Sequence, residues 1–118
     1  MDETTTVDSY VAAWNEGDVD RRTALLGECF GEDGTYTDPT VHVSGRSALA
    51  EHVAGFQQRM AGATMERRSR VDAYGDVLRF AWAATGPDAA VIVEGVDFVT
   101  LGEDRRIRSV TGFFGVLD

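Results

Sequence analysis

The sequence predicts an α+β fold in which three helices cover one face of a curved, mostly antiparallel sheet. Three observations carry that expectation: helical periodicity through the first half, a change to strand periodicity after Gly62, and hairpin-turn signals in the second half. At 118 residues the chain makes one domain, 1–118, long enough to bury a core or to enclose a small pocket. Its 43% hydrophobic content, with two tryptophans and six phenylalanines, is that of a globular protein rather than a disordered one.

Each element has its own signal. Val7, Tyr10, Val11 and Trp14 recur at i, i+3, i+4 and i+7, one face of a first helix, which "NEGD" breaks. Asp18 caps a second helix whose apolar face is the Arg22 stem, Leu25, Leu26, Cys29 and Phe30, and "GEDG" ends it. "TYTDP" and "VHVSG" read as two short extended pieces around Pro39. Ser44 caps a third helix with Leu49, His52, Val53, Phe56 and Met60 on one face and Gly62 at its end. Four strands follow, over about 64–74, 76–85, 90–101 and 105–116. Pro87 in "TGPD" and the "GEDR" stretch supply the turns. Leu78, Phe80 and Trp82 share one sheet face against Arg79; Val110, Gly112 and Phe114 oppose Ser109, Thr111 and Phe113. The arginines of "MERRSRV" (Arg67, Arg68 and Arg70) predict a solvated, ion-pairing surface that counters the acidic helices.

Composition removes several function classes. A formal charge of -9 argues against nucleic acid and anionic membrane as partners, since both demand clustered cations. "MDETTT" lacks an apolar h-region, and no apolar run approaches a membrane span. Cys29 is the single cysteine, so no internal disulfide forms and a cytoplasmic setting is expected. All eleven basic residues are arginine, which excludes Schiff-base catalysis by lysine. No G-x-S-x-G elbow or glycine-rich phosphate loop is present. His42 and His52 are too few and wrongly spaced for a metal site, even with Asp38 and Glu51 nearby. No metal and no cofactor are expected. Acid–base chemistry by carboxylate, tyrosine or histidine remains, or no chemistry at all.

Three residues stand out for that chemistry. Tyr10 lies on the apolar face of the first helix, one turn before Trp14. Asp38 precedes Pro39 at the end of a short extended piece. Asp97 sits in "VIVEGVDFVTLG", where an uncompensated carboxylate is costly to bury. It points to solvent, pairs with an arginine such as Arg79 or Arg108, or lines a site. Tyr10 and Asp38 likewise have plain structural readings, as a core residue and a turn former.

"SYVAAWNEGDVDRR", "DGTYTDP", "SGRSALAEHV" and "EGVDFVTL…RIRSVTGFFG" together resemble the nuclear-transport-factor-two-like superfamily, over Val7 to Gly115. Within it the pattern is similar to SnoaL-like domains and the ketosteroid isomerases. The resemblance implies a cone, with a strongly curved sheet wrapped on helices and an apolar pocket at the wide end. It implies Asp38 as general base, with Tyr10 and a protonated Asp97 as donors to a developing oxyanion. His52 and Val53 fall where ketosteroid isomerases hold a second tyrosine, so that network departs from the family's. Trp14, Phe30, His52, Phe56 and Leu78 are expected to contact substrate. So are Phe80, Trp82, Val110 and Phe114, with the two tryptophans narrowing the pocket below steroid size. "SVTGFFG" lacks the second aspartate of the related epoxide hydrolases, which disfavours that activity.

The expected partner is a small apolar molecule, handled without cofactor, in a homodimer formed through the opposite sheet face. Three functions stay open: isomerase, cyclase or dehydratase of a small carbonyl compound; a non-catalytic binding module; or an association domain.

Overall fold

The computed structural model describes residues 2–115. Helix α1 (Glu3–Asn15) starts at Asp2, whose side chain accepts from Thr5 N at 2.8 Å. Of the predicted stripe it buries Val7, Tyr10 and Trp14, with Val11 half-buried. Helix α2 (Val19–Cys29) starts at the predicted cap, with Asp18 accepting from Arg21 N at 2.9 Å.

Arg22 corrects the expectation that only its stem is buried, for the whole residue is 5% exposed. Its guanidinium donates to the Glu16 carbonyl at 3.1 Å and to Gln57 Oε1 at 2.8 Å. Gln57 in turn donates to the carbonyls of Trp14 and Glu16. The open carbonyls at the end of α1 thus receive a cation and an amide, which suits the negative end of the helix dipole.

Strand β1 (Phe30–Asp38) begins where the second helix was expected to continue. Phe30 is the helix's C-cap and first strand residue, and "GEDG" lies within the strand rather than ending the helix. A register irregularity spans Phe30 to Thr35. Gly34 is required there: a Cβ would come within 2.5 Å of the Phe30 ring. Strand β2 (Val41–Ser44) returns antiparallel to β1, with Asp38 opposite Val41. Helix α3 (Arg46–Arg59) is capped by Gly45, not Ser44, which ends β2. The chain turns there through a left-handed φ of 94°, a conformation natural to glycine, and no side chain caps the helix.

The first of the four predicted strands divides. β3 (Thr64–Arg67) and β4 (Asp72–Tyr74) both pair antiparallel with β5 (Val77–Thr85), and the chain between them leaves the ladder. β6 (Val91–Leu101) and β7 (Ile107–Phe114) complete the sheet; residue 116 of the predicted last strand lies outside the described residues. The strand order is β2-β1-β7-β6-β5-β3. Every pairing is antiparallel except β1 with β7, which is parallel. Both hairpin turns fall where expected, closed by Gly86 N to Ala90 O at 2.9 Å and Gly102 N to Arg106 O at 2.8 Å.

The helices cover one sheet face. Between them lies a core that includes Val7, Leu26, Phe30, Leu49, Leu78 and Val110, all within 1% of full burial. The opposite sheet face carries Arg79, Phe98 and Phe113, and is exposed. Arg67 pairs with Asp8 of α1 at 2.8 Å and so counters an acidic helix, whereas Arg68 pairs with Glu66, two residues before it, at 3.0 Å. Among the described residues no helix is long and apolar enough to cross a membrane.

Candidate active site

A cavity of about 580 Å³ lies between α1, α3 and the inner sheet face. That volume is ordinary for a drug-sized ligand, so the two tryptophans do not narrow it as expected. They stand as walls: Trp14 packs edge-on against Phe56 at 5.3 Å, and Trp82 against Phe114 at 5.9 Å. Exposed lining residues Thr40, Arg59, Ile92 and Phe114 mark the mouth.

Tyr10, Asp38 and Asp97 all line this one cavity. Of the expected contact residues, Trp14, His52, Phe56, Phe80, Trp82 and Phe114 line it as well. Phe30, Leu78 and Val110 do not. Leu78 and Val110 flank Val99 in the row of the sheet beneath Phe80, Asp97 and Gly112, and that row is sealed in the core. Phe30 is completely buried, stacked on Tyr10 at 6.4 Å.

Asp97 settles its own question of placement. It is 7% exposed and faces the cavity from the middle of β6, opposite Phe80 on one side and Gly112 on the other. Arg79 bonds Asp72 at 2.9 Å on the outer face, so it does not serve Asp97. Burial pushes the Asp97 carboxyl up to about 7. The Trp82 indole opposes this by favouring the carboxylate, although its N–H makes no hydrogen bond of good geometry; the charge on Asp38 adds to the rise.

Asp38 lives in the opposite environment. Its Oδ1 accepts from Thr40 N at 2.7 Å, Thr40 Oγ1 at 2.6 Å and Val41 N at 3.1 Å. Its Oδ2 accepts from Tyr36 Oη at 2.7 Å. Burial pushes this carboxyl up, but the donors from Thr40 and Tyr36 outweigh it, and the net shift is downward. The β1–β2 turn at Pro39 brings those backbone donors round to the carboxylate.

Gly112 of β7 lies between Asp38 of β1 and Asp97 of β6. A Cβ there would lie 2.9 Å from Asp97 Oδ1 and 3.6 Å from Asp38 Cβ. A glycine there leaves room for the Asp97 carboxylate against β7.

Tyr10 is 2% exposed, and its hydroxyl has no hydrogen-bond partner among the described residues. Burial first, and then the neighbouring Asp97, holds its proton well above the usual range. The Trp14 indole is near enough to favour the phenolate slightly. Tyr10 therefore presents an unused O–H donor. Tyr36, absent from the sequence expectations, is 7% exposed, and burial with donation to Asp38 keeps it protonated. Its signal was present: it is two residues before Asp38 in "TYTDP", hence on the same strand face. His52 lies 5.4 Å from the Tyr36 ring and 5.8 Å from that of Trp14. Burial pulls its pKa down against the pull of Asp38, so the imidazole is neutral at neutral pH. Among the described residues no cluster of three or more His, Cys, Asp or Glu side chains is arranged to hold a metal.

Helices over such a sheet, with polar groups gathered in the cavity between, define a protein of the nuclear-transport-factor-two-like class, the cystatin-like roll. The sequence profile of the SnoaL-like domain matches residues 7–110, and the chain belongs to that family. A SnoaL-like family structure from Agrobacterium tumefaciens, provisionally named an isomerase, shares 32% identity at a TM-score of 0.89. The match covers 95% of this chain and 96% of that one. An NTF2-like protein of unknown function from Exiguobacterium shares 19% identity at a TM-score of 0.75, covering 95% and 99%. A Sinorhizobium meliloti protein, provisionally named a polyketide cyclase, shares 17% at a TM-score of 0.72, covering 92% and 93%. The last two likenesses are of fold. No protein of curated function matches the sequence.

Proposed function

We propose that the cavity is a cofactor-independent acid–base site for a small, mostly apolar carbonyl compound, which it isomerises, cyclises or dehydrates. The reading is carried by one observation: two carboxylates lining one cavity differ in acidity, Asp38 shifted downward and Asp97 up to about 7. Such a split assigns the roles. Asp38 is ionised and accepts a proton; Asp97 is largely protonated just below neutrality and donates.

In the proposed step, Asp38 Oδ2 removes a proton from the carbon beside the carbonyl. The C–H electron pair moves into a new C=C bond and leaves negative charge on the oxygen. Tyr10 and protonated Asp97 donate to that oxygen. Return of the proton to another atom of the conjugated system completes an isomerisation and restores Asp38. Expulsion of a β-hydroxyl, which leaves as water with the proton that Asp38 took, is the dehydration variant and likewise restores Asp38. The isomerase and cyclase names carried by the Agrobacterium and Sinorhizobium proteins are compatible with this chemistry.

Deuterium incorporation into small enones in heavy water tests the reading. Wild type should exchange the α-proton, and Asp38→Asn should lose about 10²–10⁴ of that rate while still binding the compound. Equal exchange by both proteins, or none from wild type, removes the enzyme reading. The second reading, a non-catalytic binding module, draws on the four hydrogen bonds to Asp38, which lower its basicity.

The same proposal includes a homodimer through the outer sheet face. Phe98 and Phe113 pack edge-to-face there at 5.7 Å and are 39% and 55% exposed. They line a groove of about 570 Å³ with Arg70, Asp72 and Arg79. A patch carrying its own aromatic centre and both signs of charge is self-complementary, and a second copy of the chain fits it.

A further inference from the structure

Among the described residues three buried side-chain polar atoms lack a hydrogen-bond partner: Tyr10 Oη, Trp82 Nε1 and Arg46 Nε. Tyr10 and Trp82 both line the cavity. They come from different elements, α1 and β5, and Asp97 neighbours both: its charge helps hold the Tyr10 proton, and the Trp82 indole favours its carboxylate. An indole N–H can only donate, so nothing but an acceptor satisfies it. Burial of such a donor without a partner is disfavoured, and native proteins seldom leave one so.

The indole is also held in place. The Cζ2 edge of Trp82, which is the edge bearing Nε1, lies over Gly95 of β6, where a Cβ would stand 2.8 Å away. Phe114 packs edge-on from β7. A side chain so fixed presents its donor without reorganisation when a ligand arrives, which is the condition for effective stabilisation of a developing charge.

We propose that Trp82 Nε1–H and Tyr10 Oη–H are two arms of one cradle around Asp97 that takes a single ligand oxygen at the buried end of the cavity. The ligand class is then a flat apolar compound with one carbonyl, enol or phenol oxygen at its end. Trp82 is a specificity-determining residue within it, selecting for the oxygen rather than for the apolar body. The proposal takes from the acid–base reading only the place of the oxygen, and requires no proton transfer. A weak base such as Asp38 also makes the cradle useful, because it can remove a carbon-bound proton only when the resulting oxyanion is well held.

The probes are 2-naphthol and naphthalene, alike in body and differing in one oxygen. The chain has two tryptophans, so an ¹⁵N-labelled sample shows two indole N–H signals, assigned with Trp14→Phe. Titration with 2-naphthol should move the Trp82 signal downfield, and naphthalene should not. Trp82→Phe keeps an aromatic wall and removes the donor. It should weaken 2-naphthol about tenfold, or about 1.4 kcal/mol, and change naphthalene by less than about twofold. A Trp82 signal indifferent to 2-naphthol, equal weakening of both probes, or no binding of 2-naphthol to wild type would each overturn the proposal. If Trp82→Phe fails to fold, the wild-type signal decides alone. Failed deuterium exchange with an intact naphthol response would remove the catalytic reading and leave the cradle standing.

Discussion

Asp97 is a carboxyl whose protonation is tied to folding. In the unfolded chain it titrates near 3.8, and in the folded protein burial raises it to about 7. The native state therefore keeps a proton that the unfolded state has released between those values. Stability from this residue is full below the unfolded value, falls as pH climbs toward about 7, and then levels off. The span amounts to roughly 4 kcal/mol. Asp97→Asn carries a neutral amide throughout, so its stability relative to wild type should improve from about pH 4 to pH 7 and hold steady above. Urea unfolding of both proteins across that range checks the sign; a wild-type advantage growing with pH would contradict it. Gly112 offers a second test. Ala at that position must displace Asp97 Oδ1, a movable side-chain end, but meets no backbone atom closer than 3.8 Å. Gly112→Ala should keep its unfolding midpoint near that of wild type and lose at least about tenfold of any exchange activity. Equal loss of stability and activity would mean that the glycine serves only packing.

The elements differ in how openly the sequence declares them, and the caps show why. Asp18 has a side chain that bonds its helix, whereas Ser44 belongs to β2 and leaves the capping position to Gly45. Asp18→Ala should cost about 1 kcal/mol and Ser44→Ala close to nothing, measured by thermal or urea unfolding. Equal costs would refute the assignment. Helix stripes and hairpin turns were legible because their spacing is local. "GEDG" misled because two glycines read as a helix stop, while they serve a strand that bends over Phe30 against β7, some 75 residues away in sequence. The pocket side chains were legible where strand alternation placed them on the inner face. Alternation does not reveal depth along the cone, so Leu78 and Val110 could not be told from Phe80. Tyr36 is readable by the same alternation, two residues before Asp38.

At the scale of the molecule the charge is spread so that it holds little of the fold together. Arg105 reaches both Glu3 and Asp76, and Arg67 reaches Asp8, but these pairs are part-exposed and of small individual worth. The proposed dimer face is where surface chemistry has its larger consequence. Phe113→Arg would set two cations against each other at the centre of a twofold contact. Wild type should scatter light with the mass of two chains at micromolar concentration, and the variant with the mass of one. A wild-type monomer would defeat the dimer, and the cavity on the other face would be unaffected.

The parallel pairing of β1 with β7, the only one among the described residues, governs when the molecule can become itself. Asp38 stands on one of these strands and Gly112 on the other. Their union closes a loop of some 75 residues, so the entropy of bringing them together is met only after β7 has been synthesised. Until then the helices and the β5–β6 hairpin can gather, yet the two carboxylates remain strangers. A slow final phase of refolding should therefore coincide with the first appearance of ligand binding, rather than with the gain of helical signal that precedes it.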